Sequence, residues 1–288
     1  DAHGGGGLVH VKKGTMENYN ISLPTTDEIE NIATVLSQQE EQINNIQKLI
    51  EKLEKRNQYY TERLLSGELR VREDDNNLLK IYKNESWKEV SSKINKSGNI
   101  LSPQDWSLIK LENIFISSVG GEYGKELNNL NQDLKTKVIT LHVFSGKDTE
   151  KSVIDRAIDS NKLKNRLISS GDIVIEKSGG TENCSVGRVY LAENINEPTT
   201  SVNFTNILKI DSENYDSKYI YELLKFFHLR RIAAKYEQKT VGIANLKQSE
   251  YFKLKYIFPK KEEQVLISKF IKQLDLSICL KKLTHAFF

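Results

Sequence analysis

From Ile29 to Leu64 the positions Ile29, Ile32, Leu36, Gln39, Ile43, Ile46, Ile50, Leu53, Asn57, Tyr60 and Leu64 follow one another at alternating steps of three and four. Held over about five heptads, this spacing predicts a long helix with a narrow apolar seam, the pattern of a coiled coil. Pro24 and the pair Thr25 and Glu28 supply a capping-box start, and Ser66-Gly67 supplies a stop. At about 1.5 Å of rise per residue, the helix would run roughly 55–60 Å. No small domain needs such a rod for its own core, so the seam demands a partner. Gln39 and Asn57 on that seam either fix register and partner or mark a frayed, wet stretch.

A repeat supplies the partner. Leu23-Pro24-Thr25-Thr26-Asp27-Glu28-Ile29 returns about 235 residues later as Phe258-Pro259-Lys260-Lys261-Glu262-Glu263-Gln264. Downstream, Ile32, Gln38 and Ile43 meet Ile267, Gln273 and Ile278; upstream, Gly7-Leu8-Val9-His10-Val11-Lys12 meets Gly242-Ile243-Ala244-Asn245-Leu246-Lys247. The second seam, Gln264, Ile267, Ile271, Leu274 and Ile278, breaks off at Leu283-Thr284-His285. One long and one short helix of the same kind, bracketing an unlike segment, are expected to pack antiparallel.

With 288 residues and 38% hydrophobic content the chain can bury a real core, and a formal net charge of +3 is too mild to prove a nucleic-acid partner. Cys184 and Cys279 stand far apart, outside any metal-ligand spacing, which predicts free thiols in a reducing compartment. With no long apolar run and no leader pattern, a cytoplasmic location is expected. The chain opens at Asp1, and its first residues resemble the tail of the globular segment, so it reads as a piece of something longer.

Between the two helices, Asp74-Asp75-Asn76-Asn77 and the polar run to Asn99 read as a linker, and Trp106 to Leu111 opens strand-like sequence. Strands are expected over 137–143, 172–176, 187–191 and 206–210, and a helix over 219–236. The loop from Glu176 to Asn183 leads into Val186-Gly187-Arg188 and would place Lys177 beside Arg188 if the flanking strands pair. A second polar loop runs from Gln238 to Asn245. Cations and small polar groups on such loops suit phosphate contact and base reading, since Arg takes guanine bidentately. For either loop alone, an ordinary solvated turn is the simpler account.

Catalytic patterns are weak. Asp172 and Glu176-Lys177 approach a metal-dependent nuclease cluster, but Ser178 occupies the place of its lysine. Gly120-Gly121-Glu122-Tyr123-Gly124 lacks the spacing of a dinucleotide loop. His142 and His228 read as structural histidines, and nothing joins them to Cys184.

The residues Leu23-Pro24 through Leu65-Ser66-Gly67-Glu68-Leu69-Arg70-Val71 carry a family likeness, together with Gly171-Asp172-Ile173-Val174-Ile175, Gly187-Arg188, Gly242 to Leu246 and Phe258 to Gln264. In their order and extent they resemble the specificity subunit of bacterial type I restriction-modification enzymes. The resemblance implies an α+β fold: one target-recognition domain plus long antiparallel coiled-coil spacer helices. Residues 1–22 would be the remnant of a preceding recognition domain, 23–69 the long spacer helix, 70–100 a linker, 101–257 the recognition domain, and 258–288 a second, shorter spacer helix. It further implies a non-catalytic subunit that binds double-stranded DNA and docks methyltransferase and restriction subunits. S-adenosylmethionine would belong to the methyltransferase, and this chain would carry no cofactor or metal of its own. With one complete reader present, the chain resembles a C-terminal half, which would pair with a copy of itself to restore two. The implied DNA contacts are Lys177, Ser178, Arg188, Lys239, Thr240 and Asn245; the implied helix seam is Ile29, Leu36, Ile43, Ile50, Leu53, Ile267, Ile271 and Leu274. The rival readings are a coiled-coil adaptor with a protein-binding domain, and a hydrolase using Asp172, Glu176 or Cys184.

Overall fold

The computed structural model describes residues 2–5, 8–11, 22–91, 99–127, 133–146, 149–180, 184–240 and 243–286. The chain divides into two units, Asp1–Glu54 with Ile278–Phe288, and Lys55–Ser277.

In the first unit, β1 (Ala2–Gly5) and β2 (Leu8–Val11) form an antiparallel hairpin, and helix α1 (Thr26–Leu65, 40 residues) begins. Its start is the expected capping box. The Thr25 amide donates to Glu28 Oε2 at 2.9 Å, and the Glu28 amide donates to Thr25 Oγ1 at 3.4 Å, so two otherwise orphaned donors are satisfied. Those bonds hold the Glu28 carboxyl below its ordinary range. Ile50 and Ile278 are buried, Ile43 and Leu53 half-buried, and Lys282 Nζ reaches Glu54 at 2.7 Å. Toward its start the α1 seam is bare, with Ile29 and Leu36 exposed (43% and 62%). These two expected seam positions lack cover among the described residues, and the C-terminal helix α5 spans Lys261–Ala286.

In the second unit α1 ends at Leu65, and Gly67 just beyond it has a φ of +74° that suits a residue without a Cβ; a Cβ there would lie 2.4 Å from Pro103 Cγ. The helices run antiparallel here. Asn57 Nδ2 donates to Asp275 Oδ1 at 2.5 Å, and the Tyr60 and Phe270 rings meet edge to face at 6.0 Å. Asn57 is buried, so of its two sequence readings it takes the register-fixing one.

The stretch 70–100, expected as a linker, instead holds strands. β3 (Leu69–Glu73) pairs with β4 (Leu79–Lys83), and β5 (Trp87–Ser91) with β6 (Asn99–Pro103). Asp74 makes the first turn by accepting the amides of Asn76 and Leu78, which is why an acidic run reads as a loop yet builds a hairpin. Arg70 in β3 ties the start of α5 to this region. It donates to Glu263 at 2.5 and 2.6 Å and to Asp105 at 2.8 and 3.0 Å, and buried Trp106 donates Nε1 to Glu263 at 3.2 Å.

The next strands are β7 (Ser107–Lys110), β8 (Phe115–Gly120), β9 (Asp133–Ile139), β10 (Val153–Asp159), β11 (Ile173–Glu176), β12 (Ser178–Gly180), β13 (Val189–Leu191), β14 (Thr199–Ser201) and β15 (Thr205–Ile210). A four-stranded antiparallel sheet has the order β13-β11-β15-β8, and a three-stranded sheet the order β10-β9-β14. A single helical turn, α2 (Ser160–Leu163), follows β10. The apolar run of β11 is buried on both faces. Ile173 and Ile175 join the main core with Leu208, Leu223, Leu224 and Phe227, while Val174 joins Ile139, Ile168 and Ile207 on the other side.

Helix α3 (Ser217–Leu229) supplies the leucines, capped by Asp216, which accepts the Tyr219 amide at 2.8 Å. It stops earlier than the expected 236 because Arg231 takes a left-handed φ of 55°; a 3₁₀ turn follows at Ala233–Tyr236. Likewise the strand expected over 137–143 ends at Ile139, where the Thr140 hydroxyl accepts the His142 amide and starts a 3₁₀ turn, Leu141–Ser145. Strands β16 (Glu237–Thr240) and β17 (Ile243–Leu246), the short helix α4 (Gln248–Tyr251) and β18 (Lys255–Phe258), paired with β7, lead into α5.

Candidate nucleic-acid interface

Both loops singled out in the sequence end up in one small sheet of order β12-β17-β16. Lys177 is its hinge. The Lys177 amide donates to Phe204 O at 3.0 Å, and its carbonyl accepts the Leu246 amide at 2.8 Å, so the chain leaves β11 and at once pairs with β17. Ser178 lies opposite Asn245, and its hydroxyl meets Asn245 Oδ1 at 2.5 Å. On the other side of β17, Gln238 faces Asn245, Lys239 faces Ala244, and Thr240 faces Ile243. The Lys239 side chain is exposed, and that of Thr240 lies outside the described residues. Five of the six expected DNA contacts, Lys177, Ser178, Lys239, Thr240 and Asn245, thus come from sequence positions more than sixty apart to one three-stranded patch.

Arg188, the sixth, is held differently. Antiparallel pairing of β11 with β13 sets Glu176 beside Arg188, which donates Nε to Oε2 at 2.8 Å and Nη2 to Oε1 at 2.6 Å. The guanidinium also lies 5.2 Å from the centre of the Phe144 ring. Glu176 is completely buried, and its hydrogen bonds push the Arg188 pKa up, fixing the charge. This two-point grip leaves Nη1 and the second Nη2 hydrogen, one edge of the guanidinium, unengaged among the described residues, an edge able to donate two parallel hydrogen bonds. The strands flanking Lys177 and Arg188 pair as the expectation required, and the Glu176 carboxylate is taken by the arginine.

The acidic residues of the nuclease-like pattern are engaged in ion pairs. Glu176 is a counter-ion. Asp172 bonds Lys209 Nζ at 2.9 Å and accepts the Ser169 amide at 2.8 Å. Among the described residues no group of three or more His, Cys, Asp and Glu can hold a metal ion. His228 Nδ1 lies 3.4 Å from Val186 O, with burial pushing its pKa down. Cys184 and Cys279 are free thiols.

The residues that sequence reading missed surround Gly120, at the end of β8. Asn206 donates to Ser118 Oγ at 3.0 Å and to Gln248 Oε1 at 2.7 Å, and Arg166 donates Nε to Gly120 O at 3.0 Å. A cleft of about 610 Å³ lined by Tyr123, Leu141, His142, Lys151 and Phe204 is joined to the hinge through Phe204. No spacing in the sequence marks their meeting, since they come from several elements far apart in the chain. No helix among the described residues is long and apolar enough to cross a membrane.

The family profile described as "Type I restriction modification DNA specificity domain" matches residues 103–285. The chain is 24% identical over 281 residues to the "Type I restriction enzyme MjaVIII specificity subunit" of Methanocaldococcus jannaschii, covering 96% of this chain and 60% of that protein. Its fold resembles that of the type I restriction-modification S subunit from M. genitalium (TM-score 0.51, 17% identity), covering 99% of this chain and 64% of the other. It also resembles the HsdS subunit from Thermoanaerobacter tengcongensis (TM-score 0.50, 13% identity), covering 98% of this chain and 59% of the other. The chain therefore spans about three fifths of the length of these relatives. A profile match over more than half of its residues places the chain in the type I restriction-modification DNA specificity family.

Proposed function

We propose that this chain reads one half-site of a bipartite DNA target, and that its helices set the gap to a second reader and dock methyltransferase subunits. The observation that carries the reading is the β12-β17-β16 patch, which gathers small polar side chains, the exposed Lys239 and the half-buried Lys177 beside an arginine held rigid by a buried carboxylate. Cationic side chains gain affinity by releasing counter-ions from the phosphates, and base contacts choose the sequence. The mechanism is recognition without chemistry: methyl transfer, with its S-adenosylmethionine, and cleavage belong to methyltransferase and restriction subunits. The bare stripe Ile29, Ile32, Val35 and Leu36 on α1 supports a further helix as neighbour, from a second copy of this chain or from the remainder of a longer one.

Selection from random duplexes with the methyltransferase present tests this reading. A split motif with a fixed gap is the expected outcome, and binding that ignores sequence and vanishes at modest salt would refute it. Arg188→Ala is expected to reduce discrimination between cognate and random duplex by about 1–3 kcal/mol. An equal loss on every sequence would make Arg188 a phosphate contact.

A further inference from the structure

Several half-buried or buried cations of the second unit are matched by carboxylates: Arg70 by Glu263, Arg188 by Glu176, Lys209 by Asp172 and Lys225 by Glu222. Lys177 is not. Its half-buried ammonium has no hydrogen-bond or ion-pair partner among the described residues. It sits against Gly120, where a Cβ would come within 3.0 Å of Nζ, so the missing side chain is what gives the amine its place. The nearby charge is of the same sign. Arg166, anchored through Nε to Gly120 O at 3.0 Å and through Nη1 to Lys162 O at 2.7 Å, keeps Nη2 uncommitted among the described residues. Burial, and then the Arg166 charge, press the Lys177 pKa down. The carboxylate two residues past Gly120, Glu122, is taken by Lys162 at 3.6 Å.

Two desolvated like charges held at one strand end cost stability unless an anion completes them. We infer that Lys177 and Arg166 form a phosphodiester clamp at Gly120 that holds the backbone of duplex DNA whatever its sequence. The clamp rests on the recognition function proposed above and deepens it: the β12-β17-β16 patch and Arg188 choose the bases, and the Gly120 pair fixes where the duplex lies. The patch and the clamp share one residue: Lys177 carries the backbone hydrogen bonds that join β12 to the main sheet, so phosphate binding and base reading are mechanically linked.

The test uses the full chain and measures duplex affinity against salt. Lys177→Gln and Arg166→Gln are each expected to weaken binding roughly tenfold, by the same factor on cognate and unrelated duplexes, and to lower the salt slope by about one. Lys177→Arg, which keeps the charge, should retain both, and matched melting curves show that the variants fold. Duplexes carrying one neutral methylphosphonate at successive positions locate the contact: the unaltered chain should lose affinity at one phosphate, and Lys177→Gln should be indifferent to that substitution. An unchanged slope in the Gln variants overturns the clamp, as does a loss confined to the cognate sequence or binding of inorganic phosphate without any change on duplex. Failure of the unaltered chain to bind any duplex would instead sink the recognition reading itself.

Discussion

The two copies of the Pro-led helix start share a pattern, weakly kept in sequence, and differ in surroundings. Ile32 and Leu36 in the first correspond to Ile267 and Ile271 in the second; Leu36 is 62% exposed, whereas Ile271 is 2% exposed. The acid of each boundary shows the same contrast. Glu28 turns back to cap its own helix through Thr25, while Glu263, preceded by Lys260 where Thr25 stands, reaches away to Arg70 and Trp106. The contrast teaches that a heptad seam specifies that something will be covered without specifying by what. The second copy finds its cover within the chain, and the first presents an apolar edge that is exposed among the described residues.

The largest effect expected from this contrast is for Ile271→Ala, which should cost about 2–5 kcal/mol in urea unfolding because it opens a cavity in the main core. A loss no greater than that of Leu36→Ala would break the comparison. Glu263→Ala should cost nearly as much, about 2–4 kcal/mol, since among the described residues it leaves the nearly buried Arg70 with Asp105 as its remaining carboxylate. Smaller is the acid sensitivity of the same knot. Hydrogen bonds from Arg70 hold the Asp105 carboxyl below its usual range, so its contribution is full above the unfolded value near about 3.9 and disappears as pH falls through the lower folded value. Asp105→Asn should flatten the acid limb of a plot of Tm against pH, and an unchanged limb would count against that role. Smallest is Leu36→Ala, expected within about 0.5 kcal/mol for the chain alone. If sedimentation shows self-association, the same substitution should weaken it, which would sharpen the comparison by naming the cover.

Much of this was legible beforehand. The repeat offset of about 235 residues survives into the fold element by element: Ala2–Gly5 matches Glu237–Thr240, Leu8–Val11 matches Ile243–Leu246, and Thr26 and Lys261 each open a helix. Strands β11 and β15 stand where alternation and turn residues put them, because both signals are local. The hairpins of 70–100 were hidden by their polar content, since a strand with one face in solvent needs few apolar residues. At the interface the two polar loops were visible, but Arg166 and Gly120 were not, because their meeting with Lys177 depends on sheet order rather than on spacing.

By itself, then, the sequence determined where the helices begin, the antiparallel return of the second boundary, and which loops carry polar and cationic groups, all of which follow from backbone periodicity and capping chemistry within a few residues. Only the tertiary structure decided which half of the seam is covered, that Glu176 rather than solvent holds Arg188, and that Lys177 stands without a counter-charge. Those outcomes depend on contacts between residues far apart along the chain, and on the cost of burying charge where no opposite charge has been brought to meet it.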